Sequence, residues 1–174
     1  MFEDENPDSK INLDDLTSKL KVQNRNIWWQ ESLIKDKLCT FREICDRNEI
    51  QSTVKTNLDR GARSLAIKLK VGVLPLKIET GRWKKKKDEP KNDKCEICTS
   101  NAIENEYHFL LHCDALSEVR NEMFAKLGNI EGFHDMSDAE KMKVMYDSDK
   151  LKVTATYIEK LMEKRKSLMY TTAS

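Results

Sequence analysis

Cys95 and Cys98 are separated by two residues, and after a spacer of nine come His108, His112 and Cys113. Three of the five cysteines and two of the three histidines therefore fall in one stretch, KCEICTSNAIENEYHFLLHC, from Lys94 to Cys113. A C-x2-C turn aims two thiolates at one point. An imidazole and a fourth donor from the next element complete a tetrahedron around Zn2+. The competing reading, soft side chains scattered through an ordinary core, accounts poorly for this density. Spacing leaves the fourth donor open. His112 lies four residues after His108 and shares its face on a helix, giving a C-x2-C-x9-H-x3-H pattern within the range of zinc sites. Cys113 lies about 140° round an unbroken helix from His108, so it ligates only if the helix ends or unwinds there. Asp114 favours such an end, and a thiolate suits zinc well.

The elements that must position these donors follow from the distribution of breakers. Neither Gly nor Pro occurs from Asp8 to Arg60 or from Phe133 to Ser174, whereas Gly72, Pro75, Gly81 and Pro90 crowd the middle. Chain free of both can run in long helices, and the crowded part must turn. Ile27, Ile34, Leu38, Phe41 and Cys45 form one helical stripe, with Cys39 and Cys45 read as small buried residues. Trp28 and Trp29 open that stripe; burial of at least one is favoured over a stacking platform for a base. Asp59 is placed to cap a helix over Arg60 to Val71, with Leu65, Ala66 and Leu69 inward and Gly72 ending it. Pro75 disfavours helix at Leu74, so 73–83 is expected to be irregular or a short strand. Leu116, Val119, Met123 and Leu127 mark a helix closed by Gly128, and Ser137 with Glu140 fits a capping box. A last helix from about Asp149 puts Leu151, Ala155, Ile158 and Met162 on one face, with Glu159, Lys160, Glu163, Lys164 and Arg165 on the other.

The expected fold is a mainly α, small helical domain stapled by one structural zinc site. It divides into an acidic, disordered leader over 1–25, a helical segment over 26–72, a basic loop with the zinc module over 73–128, and a C-terminal helical segment over 129–174. Charged residues make up 35% of the 174, against roughly 25% in an average domain. No apolar run approaches the ~18 residues of a membrane span, so no membrane association is expected. The polar, acidic start does not resemble a signal peptide. Together with an odd cysteine count, it points to an intracellular, nuclear or cytoplasmic protein rather than a secreted one.

The net charge of +1 conceals a split: twelve Lys/Arg face four acids between Arg60 and Lys94, while the first twenty residues carry six acids and two lysines. A basic block running into a zinc site is the asymmetry of a nucleic-acid contact surface, for RNA or DNA. Its candidates are Arg63, Lys68, Lys70, Arg82, Trp83, Lys84, Lys85, Lys86 and Lys87. The plainer reading of the last four is a solvated basic loop. Asp14–Asp15 lies in the acidic leader without strand-forming neighbours and is not read as a catalytic dyad. His134 is a lone loop histidine.

RSLAIKLKVGVLPLKIETGRW, CEIC and ENEYHFLLHC together resemble the zinc-binding region that follows the reverse transcriptase domain in non-LTR retrotransposon polyproteins. The resemblance extends over roughly Trp28 to Tyr170. It implies a ligand pattern C-x2-C…H-x4-C, carried here by Cys95, Cys98, His108 and Cys113, and leaves His112 as the alternative. It also implies a region that helps a polymerase hold RNA or target DNA through the basic block, Arg82 and Trp83. No polymerase or endonuclease motif accompanies it, so the implied role is non-catalytic. A protein-interaction or structural module with zinc serving only the fold is the second expectation. Hydrolysis at zinc is the least favoured, because four filled positions leave none for water.

Overall fold

The computed structural model describes residues 12–45, 51–83 and 93–172, without the side chains of 82, 83 and 172. Residues 1–11 of the expected leader and the run Lys84 to Lys87 lie outside that description. The chain separates into two compact units, Met1–Lys35 and Asp36–Ser174.

The described part of the first unit is essentially one helix, α1 (Leu13–Leu33). Asn12 caps it, its Oδ1 accepting from the Asp14 amide at 3.0 Å, and Asp14 and Asp15 occupy the first turn, where the helix dipole favours negative charge. This corrects the expectation of a disordered leader reaching residue 25, since 13–25 are helical. The expected stripe from Ile27 to Cys45 is also interrupted. Ser32 turns its hydroxyl back onto the Trp29 carbonyl, and the Lys35 amide bonds the Ser32 carbonyl, which tightens and ends the helix. Ile34 is left 82% exposed. Trp28 is 47% exposed and Trp29 half-buried, so neither fills a core position as expected.

In the second unit a 3-10 turn (Asp36–Leu38) leads into α2 (Cys39–Ile44), then α3 (Ser52–Lys55), α4 (Arg60–Lys70) and α5 (Lys77–Trp83). After the cysteine-rich stretch come α6 (Ser117–Leu127), α7 (Asp138–Met145) and α8 (Leu151–Thr172). The result is mainly helical, with no strand among the described residues. α8 packs against both α4 and α6, and α2 packs against α7. Leu151, Ala155, Ile158 and Leu161 on α8 are fully buried, as are Ala66 and Leu69 on α4 and Met123 on α6. Burying each of the leucine, isoleucine and methionine side chains stabilises the fold by about 1.5–3 kcal/mol. The Tyr146 hydroxyl ties α7 to α4 by donating to the Ala66 carbonyl at 2.8 Å.

The capping expectations hold. Asp59 accepts from the Gly61 and Ala62 amides, and Ser137 and Glu140 form a reciprocal capping box. Gly72 follows α4 with φ +68°, and a Cβ there would collide with the Lys37 carbonyl. Two further expectations fail. Residues 77–83 are helical rather than irregular or extended: Pro75 bars helix only at Leu74, and the Leu76 carbonyl accepts from both Glu79 and Thr80 amides to start the turn. Cys39 is exposed, while Cys45 is buried as expected. Among the described residues no helix is long and apolar enough to cross a membrane.

Candidate metal centre

The cysteine-rich stretch folds back on itself before it reaches the helices. The Cys95 amide donates to the Ala102 carbonyl and the Glu104 amide to Asp93, and Lys94 and Ile103 form a lone antiparallel bridge. Asn101, with φ 56°, takes the left-handed conformation that asparagine tolerates at such a reversal. The chain then enters a π-helical turn, His108–His112, whose closing bond runs from the Cys113 amide to the His108 carbonyl at 2.7 Å. This i→i+5 bond widens the turn by one residue. It brings His108 and Cys113 toward one side, where an α-helix would hold them about 140° apart. The turn is fixed at both ends. Asn105 Oδ1 accepts from the His108 amide at 2.8 Å, and Arg120 Nη1 donates to the Cys113 carbonyl at 2.9 Å.

Cys95, Cys98, His108 and Cys113 each present one donor atom, all within 4.8 Å of one another. Cys95 Sγ lies 3.9 Å from Cys113 Sγ, and Cys98 Sγ lies 3.4 Å from His108 Nε2. In a zinc tetrahedron with ordinary bond lengths, sulfurs stand about 3.8 Å apart and a sulfur and a nitrogen about 3.6 Å. Both separations therefore match tetrahedron edges, and the four donors fit a metal ion. His112 is not among them: it is exposed and its Nε2 lies 2.7 Å from Asp138 Oδ2. Of the two fourth donors left open by spacing, the fold brings Cys113 into the cluster.

Burial raises Cys95, and burial together with the neighbouring thiols pushes Cys113 up to about 12. Cys98 is less enclosed. Burial pushes it upward too, but hydrogen bonds from the Ser100 hydroxyl and backbone, then from Cys95 and Cys113, bring it below its ordinary value. Burial, with His112 and Arg120 nearby, lowers His108, so its imidazole is neutral and able to ligate at neutral pH. Three soft sulfurs and a neutral imidazole, largely enclosed, are a donor set for a soft or borderline divalent ion.

Sequence reasoning missed the residues that hold this cluster in place. Glu104 is 1% exposed. Its carboxylate receives Arg165 Nε at 2.6 Å, Arg165 Nη2 at 2.7 Å and the Lys77 amide at 2.8 Å. Lys77 Nζ also pairs with Glu96, inside the C-x2-C turn, at 2.5 Å. Arg165, expected on the polar face of α8, is instead turned inward and 7% exposed. Two signals were present in the sequence, an acid between the ligand pairs and an arginine amid inward-facing positions. Neither named its partner.

The basic candidates with described side chains, Arg63, Lys68 and Lys70, do not form one exposed surface. Lys68 is exposed, but Lys70 is 4% exposed. Its ammonium donates to Gln51 Oε1 and lies over the Phe41 and Tyr146 rings, which corrects its placement on a solvent-facing surface. Arg63 is half-buried, with Nη2 donating to the Thr56 and Leu58 carbonyls, and is likewise spent within the fold. Arg82 and Trp83 belong to the last turn of α5, their side chains outside the description. A scan against protein-family models, a search of curated proteins and a search of solved structures each return no match. The class of protein is therefore defined by fold and site alone: a small, mainly helical domain with a Cys3His cluster that could hold a metal ion.

Proposed function

We propose that the chain is a zinc-stapled nucleic-acid-binding module, non-catalytic by itself, of the kind its resemblance to the retrotransposon reverse transcriptase zinc-binding region implies. The observation that carries this reading is the anchoring of the basic stretch at both ends. Before it, α5 is fixed by Lys77 to Glu104 and Glu96; after it, the Asp93 carbonyl accepts from the Glu104 amide. Lys77, on the helix that precedes the stretch, and Asp93, which follows it, thus both bond Glu104 beside the cysteine cluster. Zinc would be held by Cys95, Cys98, His108 and Cys113, and it supplies charge and rigid geometry. With four protein donors no position stays open for water, which favours a structural role. The residues left to contact phosphates are Lys68, Arg82 and Lys84 to Lys87, with Trp83 as a stacking surface.

Filter binding of zinc-loaded protein to RNA and DNA tests this at about 50 and 200 mM salt, where log K should fall by about 0.9 per duplex phosphate neutralised for each unit of log salt. Replacing Lys84 to Lys87 by serine should flatten that slope. Absence of binding at the lower salt ends the proposal.

A second reading is a protein-interaction module. A groove of about 610 Å³ favours it, lined by Leu65, Pro75, Met162, Met169 and Tyr170, since flexible methionines suit adaptable contacts. A partner retained through high salt and nuclease treatment would support this reading over the first.

A further inference from the structure

Glu104 Oε1 lies 4.0 Å from Cys95 Sγ while accepting from Arg165. This is an awkward place for a carboxylate. Three thiolates and one neutral imidazole around a divalent ion leave a net charge of about minus one. Away from bulk water, a further negative group at that range is repelled more strongly than it would be in solvent. Arg165 removes the conflict, because its guanidinium meets the carboxylate through two parallel hydrogen bonds and cancels its charge. The two residues are 61 positions apart, one beside the C-x2-C turn and the other on the C-terminal half of α8.

We propose that the Glu104–Arg165 pair couples metal binding to the C-terminal half of α8: Arg165 supplies the counter-charge that keeps the cluster competent for metal, and metal in turn holds α8 in place. The inference rests on the metal reading given above. Coupling of this kind is reciprocal, so whatever strengthens one partner strengthens the other by the same factor. Arg165 also lines the groove beside Leu65, Met162 and Tyr170, so the wall of that groove becomes sensitive to metal occupancy.

A merely structural pair and an electrostatic one differ in sign. If the contact only braces the fold, losing either partner weakens metal binding alike. In the electrostatic case, Arg165→Met leaves Glu104 unpaired beside the sulfur and lowers affinity by about 10–100-fold. Glu104→Gln keeps an acceptor for the Lys77 amide, removes the repelling charge, and holds or raises affinity. The double variant then returns to within a few-fold of the parent.

The experiment is Co2+ titration of the full chain at one fixed pH, read by thiolate-to-metal absorption and followed by Zn2+ competition. Hydrogen exchange over 159–170, with and without Zn2+, accompanies it. Zn2+ should protect that segment in the parent and fail to do so in Arg165→Met. Equal loss in both single variants, unchanged affinity in Arg165→Met, or exchange indifferent to Zn2+ would overturn the coupling. If Arg165→Met does not fold, Arg165→Lys replaces the fork by a point charge and should fall between the parent and the expected loss; parental affinity there also overturns it. A parent chain that takes up no Co2+ removes the metal reading, and the coupling with it. Normal uptake with indifferent variants removes the coupling alone.

Discussion

His112 and Cys113 are neighbours in sequence, yet the fold gives them different partners, one at Asp138 and the other among three metal donors. Cys113→Ser should accordingly cost more zinc affinity than the ~10–100-fold typical of losing an outer hydrogen-bonding partner. His112→Ala should leave zinc affinity near parental. Competition with a coloured chelator separates the two, and a loss confined to His112→Ala would reverse the assignment. The same cysteine sets a pH dependence. In the metal-free chain burial and the adjacent thiols raise Cys113 from 9.0 to about 12. Below pH 9 it is protonated folded and unfolded alike, and its contribution to stability is intact. Between those values only the unfolded chain releases the proton, so stability falls as pH rises. Denaturant unfolding of metal-free protein should show a lower midpoint at about pH 10 than at about pH 8, and zinc loading, which already displaces these protons, should reduce the difference.

Among the elements, the π-helical turn and the Gly72 turn carry the most consequence for the site. Moving the thiolate back one position, as His112→Cys with Cys113→Ala, should fail to restore a metal site, because position 112 faces Asp138. Restored parental Co2+ absorption would show that the widened turn is dispensable. Gly72→Ala must adopt a positive φ and meet the Lys37 carbonyl. The backbone strain alone is about 1–3 kcal/mol, visible as a lower unfolding midpoint with unchanged slope. Helix boundaries that rest on local chemistry were legible in the sequence: Asp59, Gly72, Gly128 and Ser137–Glu140 act where their side chains and conformations allow. Elements decided by distant partners were not. Residues 77–83 are helical with an amide taken by Glu104, 27 residues on, and the break after Leu33 depends on Ser32 bonding back to Trp29 rather than on any breaker residue. Periodicity placed Lys70 and Arg165 on polar faces. It could not show that Phe41, Tyr146 and Gln51 would enclose the first, or that Glu104 would draw in the second.

For the molecule as a whole, α8 is the element on which α4 and α6 both rest, and a buried ion pair joins it to Glu104 beside the cysteine cluster. A structural zinc contributes about 10–16 kcal/mol of apparent binding energy at neutral pH, comparable with the total stability of a small domain. Chelation should therefore lower Tm substantially and expose the 93–116 region first, which limited proteolysis would detect as early cleavage there. A Tm unmoved by chelator would argue that the helices stand without metal. The position of Arg165 also bears on how the chain is born. Glu104 leaves the ribosome 61 residues ahead of its partner, an interval of about 3–12 s at ordinary rates of synthesis. For all but the first nine residues of that delay, all four metal donors have emerged while the charge beside them lacks its counterweight. The nascent chain should thus hold zinc weakly at first, and tighten its grip only once Arg165 has emerged and α8 has formed.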